Sequence, residues 1–316
     1  MVRRLYDPPV PLGELEDSLA LLDERFRDTL ASSRALEVGD DGRLLVRGEA
    51  HALQPRALDQ LAARLRVPAS YLRRCPPDLQ AANLNRWLSG IRTDLLVRFD
   101  GGEVRALLSP RYQPLSNLEL VRAILGKVPA DTPVRYEVTA AHFVAQVLTP
   151  DSRGGGLHGG ISLGNSETGH RVVELSAMIY RTICLNGLIL GDSEVTLRRR
   201  HTHRARATVQ ELREMAGLAW GRVAGFPGRL EATRTIRIPE PEPVFDRIAE
   251  RYGLGAPQRR AIGEAFQVEP GPSLFEVVNA VTRAGNSPSL PLEERAELQE
   301  VGGRILALAE KGHRWL

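Results

Sequence analysis

Apolar positions along the chain change their spacing twice, and those changes divide it. At the start, residues 12, 15, 19, 22, 26 and 30 are apolar with acidic residues between them. That is a helical spacing, and it predicts one helix from Leu12 to Leu30 with Pro11 suited to its first turn. Leu36–Val38 and Leu44–Val46 flank Gly39-Asp40-Asp41-Gly42 and predict a short hairpin. Leu58, Leu61, Ala62 and Leu65 form a helical stripe, Val67-Pro68 breaks it, and Tyr71-Leu72 begins a second short helix. Helix, tight turn and helix suggest a helix-turn-helix reader of duplex DNA. Pro76-Pro77 cuts the second helix too soon for that role, so a helical hairpin used for packing is the reading kept. Another helix follows over 78–88.

From Thr93 the pattern becomes that of strands. Residues 95–99 and 104–108 predict a hairpin around Asp100-Gly101-Gly102. Asn117 is placed to cap a helix over 118–127, and strands are expected over 134–138, 142–148, 159–163 and 171–180. Asn165-Ser166-Glu167-Thr168-Gly169 reads as a polar surface turn, and Asn186-Gly187 as a second turn needing a positive φ. Residues 208–223 are amphipathic and helical. Past a Pro- and Glu-rich break at 239–243, helices are expected over 244–252, 258–266, 273–283 and 293–310. This order predicts an α+β fold, a mostly antiparallel sheet with a crossing helix, flanked by N-terminal and C-terminal helical segments. The predicted regions are a mainly helical 1–92, a central sheet domain over 93–238 and a helical 239–316.

Composition narrows the class. Apolar residues make up 42% and charged residues 26%, ordinary for a globular chain of 316 residues. The net charge of +3 is too small to argue for nucleic acid by itself. The kind of base says more: apart from Lys127 and Lys311, the 42 basic residues are arginines. Guanidinium pairs bidentately with phosphate, although GC-rich coding or a hot habitat gives the same bias. Cys75 and Cys184 are far apart and show no CxxC spacing, which fits a reducing compartment and argues against a disulfide framework or a structural zinc. The start lacks an apolar signal core and no run of about 18 apolar residues occurs, so the expectation is cytoplasmic, without a membrane partner.

The densest positive charge is Arg198, Arg199, Arg200, His201, His203, Arg204 and Arg206, at the junction of the sheet and helix 208–223. Guanidiniums crowded beside a helix N-terminus suit a phosphate chain; the plainer alternative pairs them with Glu211, Glu214 and Asp192. Arg105, Arg111 and Arg135 are possible contributors from the sheet. Tyr112 and Tyr180 stand beside arginines, where a tyrosine either stacks on bases or fills the core. Gly154-Gly155-Gly156 has no GxGxxG or GKT context for cradling phosphate. A metal set is conceivable from His201 and His203 with His158, His170 or Glu167, but flanking arginines oppose a dication. Ser166, Ser176 and Cys184 lack a nucleophile elbow, and Cys184 reads as a small core residue. No cofactor is expected.

SPRYQPLSN at 109–117, NSETG at 165–169, YRTICLNGLI at 180–189, RRRH at 198–201 and LFEVVNAVTR at 274–283 occur in that order. In these blocks the chain resembles the phage- and plasmid-associated family called domain of unknown function 932, over roughly residues 50 to 310. Arg181, Cys184, Asn186 and Gly187 match its R-x-x-C-x-N-G block, and His201 its basic-then-histidine block. That resemblance implies DNA transactions in mobile elements and no established reaction. In architecture the predicted sheet and helix are also similar to Rad52-like single-strand annealing proteins. The expectation is a non-enzymatic binder of single-stranded DNA that anneals strands, as a homo-oligomer. Its site residues are Arg181, Arg198, Arg199, Arg200, His201, His203, Arg204 and Arg206, with Arg111 and Tyr112. Two alternatives stay open. One is a metal- or histidine-assisted enzyme on nucleic acid around His158, Glu167, His201 and His203; the other is a non-catalytic module that binds a host protein.

Overall fold

A computed structural model describes residues 3–5, 7–149, 156–181, 186–190, 196–202 and 205–312. The fold is α+β with mostly antiparallel sheets. After β1 (Val10–Pro11), α1 runs over Leu12–Asp23 and stops there. The residues expected to continue that helix form β2 (Phe26–Ser32), which pairs antiparallel with a later strand from Phe26↔Asp100 to Ser32↔Asp94. Phe26 and Leu30 fit helical spacing and a shallow edge strand equally well. Tertiary pairing decides between them.

Strands β3 (Leu36–Val38) and β4 (Leu44–Val46) make the expected hairpin, and β5 (Glu49–Leu53) extends it. Helix α2 (Pro55–Leu65) starts on a proline and closes on Arg66 in the left-handed region, φ +58°. Then come α3 (Ala69–Leu72), only four residues long, and α4 (Pro77–Leu88). The hairpin β6 (Asp94–Asp100) and β7 (Glu103–Leu108) joins the strands before it, in the order β2-β6-β7-β5-β4-β3. The segment read from sequence as mainly helical therefore holds strands β2–β5 of a six-stranded sheet. Its own apolar core includes Leu44, Leu61, Leu84, Leu95 and Leu107.

Helix α5 (Asn117–Leu125) carries the chain to the second sheet. Its cap is Ser116, one residue before the expected Asn117. Ser116 Oγ accepts from Glu119 N at 3.1 Å, and Ser116 N donates to the Glu119 carboxylate at 3.0 Å, a reciprocal capping box. The second sheet runs β1-β8-β9-β10-β11-β12, from β8 (Pro133–Val138), β9 (Phe143–Leu148), β10 (Leu157–Asn165), β11 (Val173–Arg181) and β12 (Asn186–Ile189). Strand β13 (Thr196–Arg199) pairs with the start of β11. Asn186 and Gly187 are strand residues, opposite Arg181 and Tyr180. Gly187 meets crowding: a Cβ there would stand 2.6 Å from Met178 Cε. Close packing, in place of the expected positive φ, calls for glycine at this position.

Alternation along β11 gives the sheet two unlike faces. Val173, Leu175, Ala177 and Ile179 enter the main core with α1, α5 and α6 (Ala205–Arg222). Glu174, Ser176, Met178 and Tyr180 point the other way. Four further helices complete the chain before a last one: α7 (Pro227–Ala232), α8 (Pro241–Tyr252), α9 (Ala256–Val268) and α10 (Leu274–Ala284). The last, α11 (Leu292–Glu310), crosses the polar face. It is anchored there by Arg295 to Glu137 at 2.8 Å and Gln146 to Gln299 at 2.9 Å.

Candidate functional site

The β8–β9 turn, the β10–β11 turn, the start of β11 and all of β13 lie at one end of the larger sheet. Most of the chemistry gathers at that pole. The stretch 165–169, expected as an exposed turn, has Asn165, Ser166, Glu167 and Thr168 all buried. Their polar groups bind elements that the sequence keeps far apart. Glu167 accepts from Asn117 N at 2.7 Å and pairs with Arg105, while its carbonyl takes a hydrogen bond from Arg98. Gln60 Nε2 donates to Thr168 O at 2.7 Å, and Asn165 Nδ2 to Leu115 O at 3.0 Å. The turn is thus a polar joint between the two sheets.

Beside this joint lies a cavity of about 250 Å³, lined in part by Asp23, Phe26, Arg105, Asn117, His142 and Glu167. Burial, then the nearby Glu167 and Glu119 carboxylates, raise the Asp23 pKa above the usual aspartate value. Arg105 also stacks on Phe26, 3.6 Å from the ring centre. Sequence reasoning places Arg105 and Arg135 among surface cations. Both are buried, and Arg135 donates to the carbonyls of Leu5 and Asp7. The signal is there to read: an arginine inside an apolar strand, as in LLVRF or VRALL, needs a buried partner. Asp23, His142 and Glu293 carry no signal that singles them out in the sequence.

The predicted phosphate-binding residues separate into groups. Arg198, Arg199 and Arg200 are exposed where β13 leaves the sheet, and Arg206 is exposed in the first turn of α6. Arg198 lies 3.7 Å from Glu174 and Arg199 2.6 Å from Glu211. Arg200, Arg206 and Arg111 are exposed and make no ion pair among the described residues. His201 is buried, its ring stacked on half-buried Tyr112 at 4.8 Å and 17°. The Tyr112 hydroxyl donates to Ser166 O at 2.8 Å. Burial lowers the His201 pKa and raises that of Tyr112. These contacts hold Arg111 and the 198–201 segment close to the joint. His203 and Arg204 lie outside the described residues, as do Cys184, Asp192 and Gly154-Gly155.

Arg181 belongs elsewhere. It ends β11, eight residues from Val173, the partner of Arg199. At about 3.3 Å per residue that separation is roughly 26 Å. Arg181 is buried and bidentate to Glu269, which also accepts from Asn279. It holds α9 and α10 against the sheet and is not a surface cation. His158 is likewise at the far pole, its Nδ1 2.8 Å from Thr149 O. The site expected from His158, Glu167 and His201 is therefore not assembled. Tyr180 is fully buried with Arg135 over its ring at 5.1 Å, and so fills the interior.

Fold and pole together define an α+β protein with a polar intersheet joint beside an arginine-rich sheet edge. Residues 107–283 match the family described as Domain of unknown function (DUF932), and the chain belongs to that family. No curated protein and no solved structure is matched. No helix of the described residues is long and apolar enough to cross a membrane.

Proposed function

We propose that the protein binds the phosphate backbone of nucleic acid, single-stranded DNA in particular, along the edge from β13 into α6. The observation that carries this reading is the contrast between two kinds of arginine. Arg181, Arg98 and Arg105 are buried and paired, and removing a partner from such a pair costs about 3–5 kcal/mol. Arg198 is more than half exposed and reaches the buried Glu174 only at 3.7 Å, while Arg199 and Glu211 form an exposed pair of a kind worth only about 0–1 kcal/mol. Arg111, Arg200 and Arg206 have no acid to displace among the described residues. A phosphate chain that releases counterions outcompetes contacts so weak. The interface is therefore Arg111, Arg198, Arg199, Arg200 and Arg206, with Tyr112 and His201 as its floor and Arg181 left out. Strand annealing in mobile-element recombination or repair is the role this surface suits, with a homo-oligomer lengthening the basic edge.

Fluorescence anisotropy with single-stranded and duplex oligonucleotides at two salt concentrations tests the reading. In the triple variant Arg198→Ser, Arg199→Ser, Arg200→Ser, affinity should fall at least about tenfold at low salt. The slope of log K against log salt should flatten by about 2, three contacts at about 0.7 each for a single strand. Equal affinity and equal slope in the triple variant would remove the proposal. Light scattering with and without oligonucleotide reads the oligomer.

A further inference from the structure

At the same pole a second group of side chains has no part in the basic edge. His142 ends the β8–β9 turn, His170 lies in the β10–β11 turn, and Glu293 sits in the first turn of α11. One ligand atom from each falls within 4.8 Å of the others. We propose that His142, His170 and Glu293 form a binding site for a divalent transition-metal ion of the zinc class.

Donor chemistry supports this choice. Two imidazole nitrogens and one carboxylate oxygen suit zinc and its first-row neighbours better than calcium or magnesium, which want oxygen alone. Three protein ligands leave at least one position for water or another ligand, as open zinc sites do. His142 Nδ1 is buried and has no satisfied hydrogen bond. Glu293 Oε1 approaches it to 2.6 Å, but out of line for one, so closeness without hydrogen-bond geometry is what the pair shows. The His142 and His170 rings are 4.9 Å apart at 79°. Glu293 and His170 are exposed and can adjust, while His142 is held in place.

Charge around the cluster is mixed. Arg171 is close, but it is held by Glu300 at 2.7 Å and by Glu174 at 3.7 Å. Arg56, from α2, acts on both histidines and opposes a dication. That opposition makes the proposal sharper, because removing Arg56 should strengthen the site. His142 is also among the residues that line the 250 Å³ cavity.

The test uses the full chain without a histidine tag, stripped with chelator and titrated with cobalt(II) and zinc. One equivalent of cobalt should bind with visible d–d absorption and be displaced by zinc. His170→Ala and Glu293→Gln, both at exposed positions, should each weaken zinc binding by at least about tenfold, since losing even an outer-shell partner of a ligand costs about 10–100-fold. His158→Ala should leave it unchanged, and Arg56→Gln should tighten it. Circular dichroism confirms that each variant is folded. Sub-stoichiometric uptake by wild type, equal binding by the His170→Ala and Glu293→Gln variants, or equal loss in His158→Ala would each overturn the assignment.

Discussion

Glu167 shows how one side chain can hold two sheets together. Its carboxylate is buried, takes the Asn117 N–H and pairs with Arg105, whose own Nε is buried without a partner. Replacing Glu167 by alanine would leave a buried guanidinium uncompensated. The expected loss is about 3–5 kcal/mol of stability, read from urea denaturation. Glu167→Leu combined with Arg105→Met should recover part of it, since an apolar pair leaves no orphan charge. His201 gives a prediction in pH. Burial holds its pKa below the ordinary value of 6.5, so between the two values the unfolded chain binds more protons than the folded one. Stability from keeping His201 neutral is complete above pH 6.5 and is lost as pH falls through the folded value. Thermal denaturation from pH 7.5 downward should show that loss, and His201→Phe, which keeps a ring against Tyr112, should make it shallower.

Between elements, glycines decide how closely α11 can lie on the sheet. A Cβ on Gly303 would stand 1.6 Å from the Ile189 carbonyl oxygen of β12, and one on Gly302 would stand 2.3 Å from Thr282 Cγ2 of α10. Gly303→Ala should therefore cost about 1–3 kcal/mol or more, as the helix is forced off the strand. Gly263 lies inside α9, where an added methyl would meet nothing within 4 Å, and Gly263→Ala should stabilise by about 0.5–1 kcal/mol. The opposite signs, measured by equilibrium denaturation, separate contact from propensity. Elements with strong periods are legible from the sequence: the last four helices, the β6–β7 hairpin and the strands β8–β11 fall close to where spacing puts them. Phe26–Ser32 is hidden because its few apolar residues also fit a helix. The 165–169 turn misleads for a deeper reason. Asn, Ser, Glu and Thr are the usual residues of a wet turn, and only the distant Gln60, Arg98 and Arg105 make burial tolerable there. The arginine edge is legible as composition. The His142, His170 and Glu293 cluster is not, because three separate elements supply it.

At the scale of the whole molecule, the two sheets have separate apolar cores. One draws on residues 31–107, and the other on α1 and residues 115–306. What joins them is largely polar: Arg98 and Arg105 with Glu167, Gln60 with Thr168, and the small patch of Leu96, Ala106, Leu108 and Tyr112. A joint of this kind couples the cores only while its ion pairs and hydrogen bonds are intact. Native protein should melt in one calorimetric transition. In the double variant Arg98→Ala, Arg105→Ala the transition should split, with the smaller core, the one holding α2–α4, melting first. Hydrogen exchange would locate the early loss in β2–β7. Arg198, Arg199, Arg200 and Arg206 sit on the larger unit, so oligonucleotide binding measured between the two transitions should persist. Binding that disappears with the first transition would place the interface across the joint instead, with Arg111 and Tyr112 at its centre.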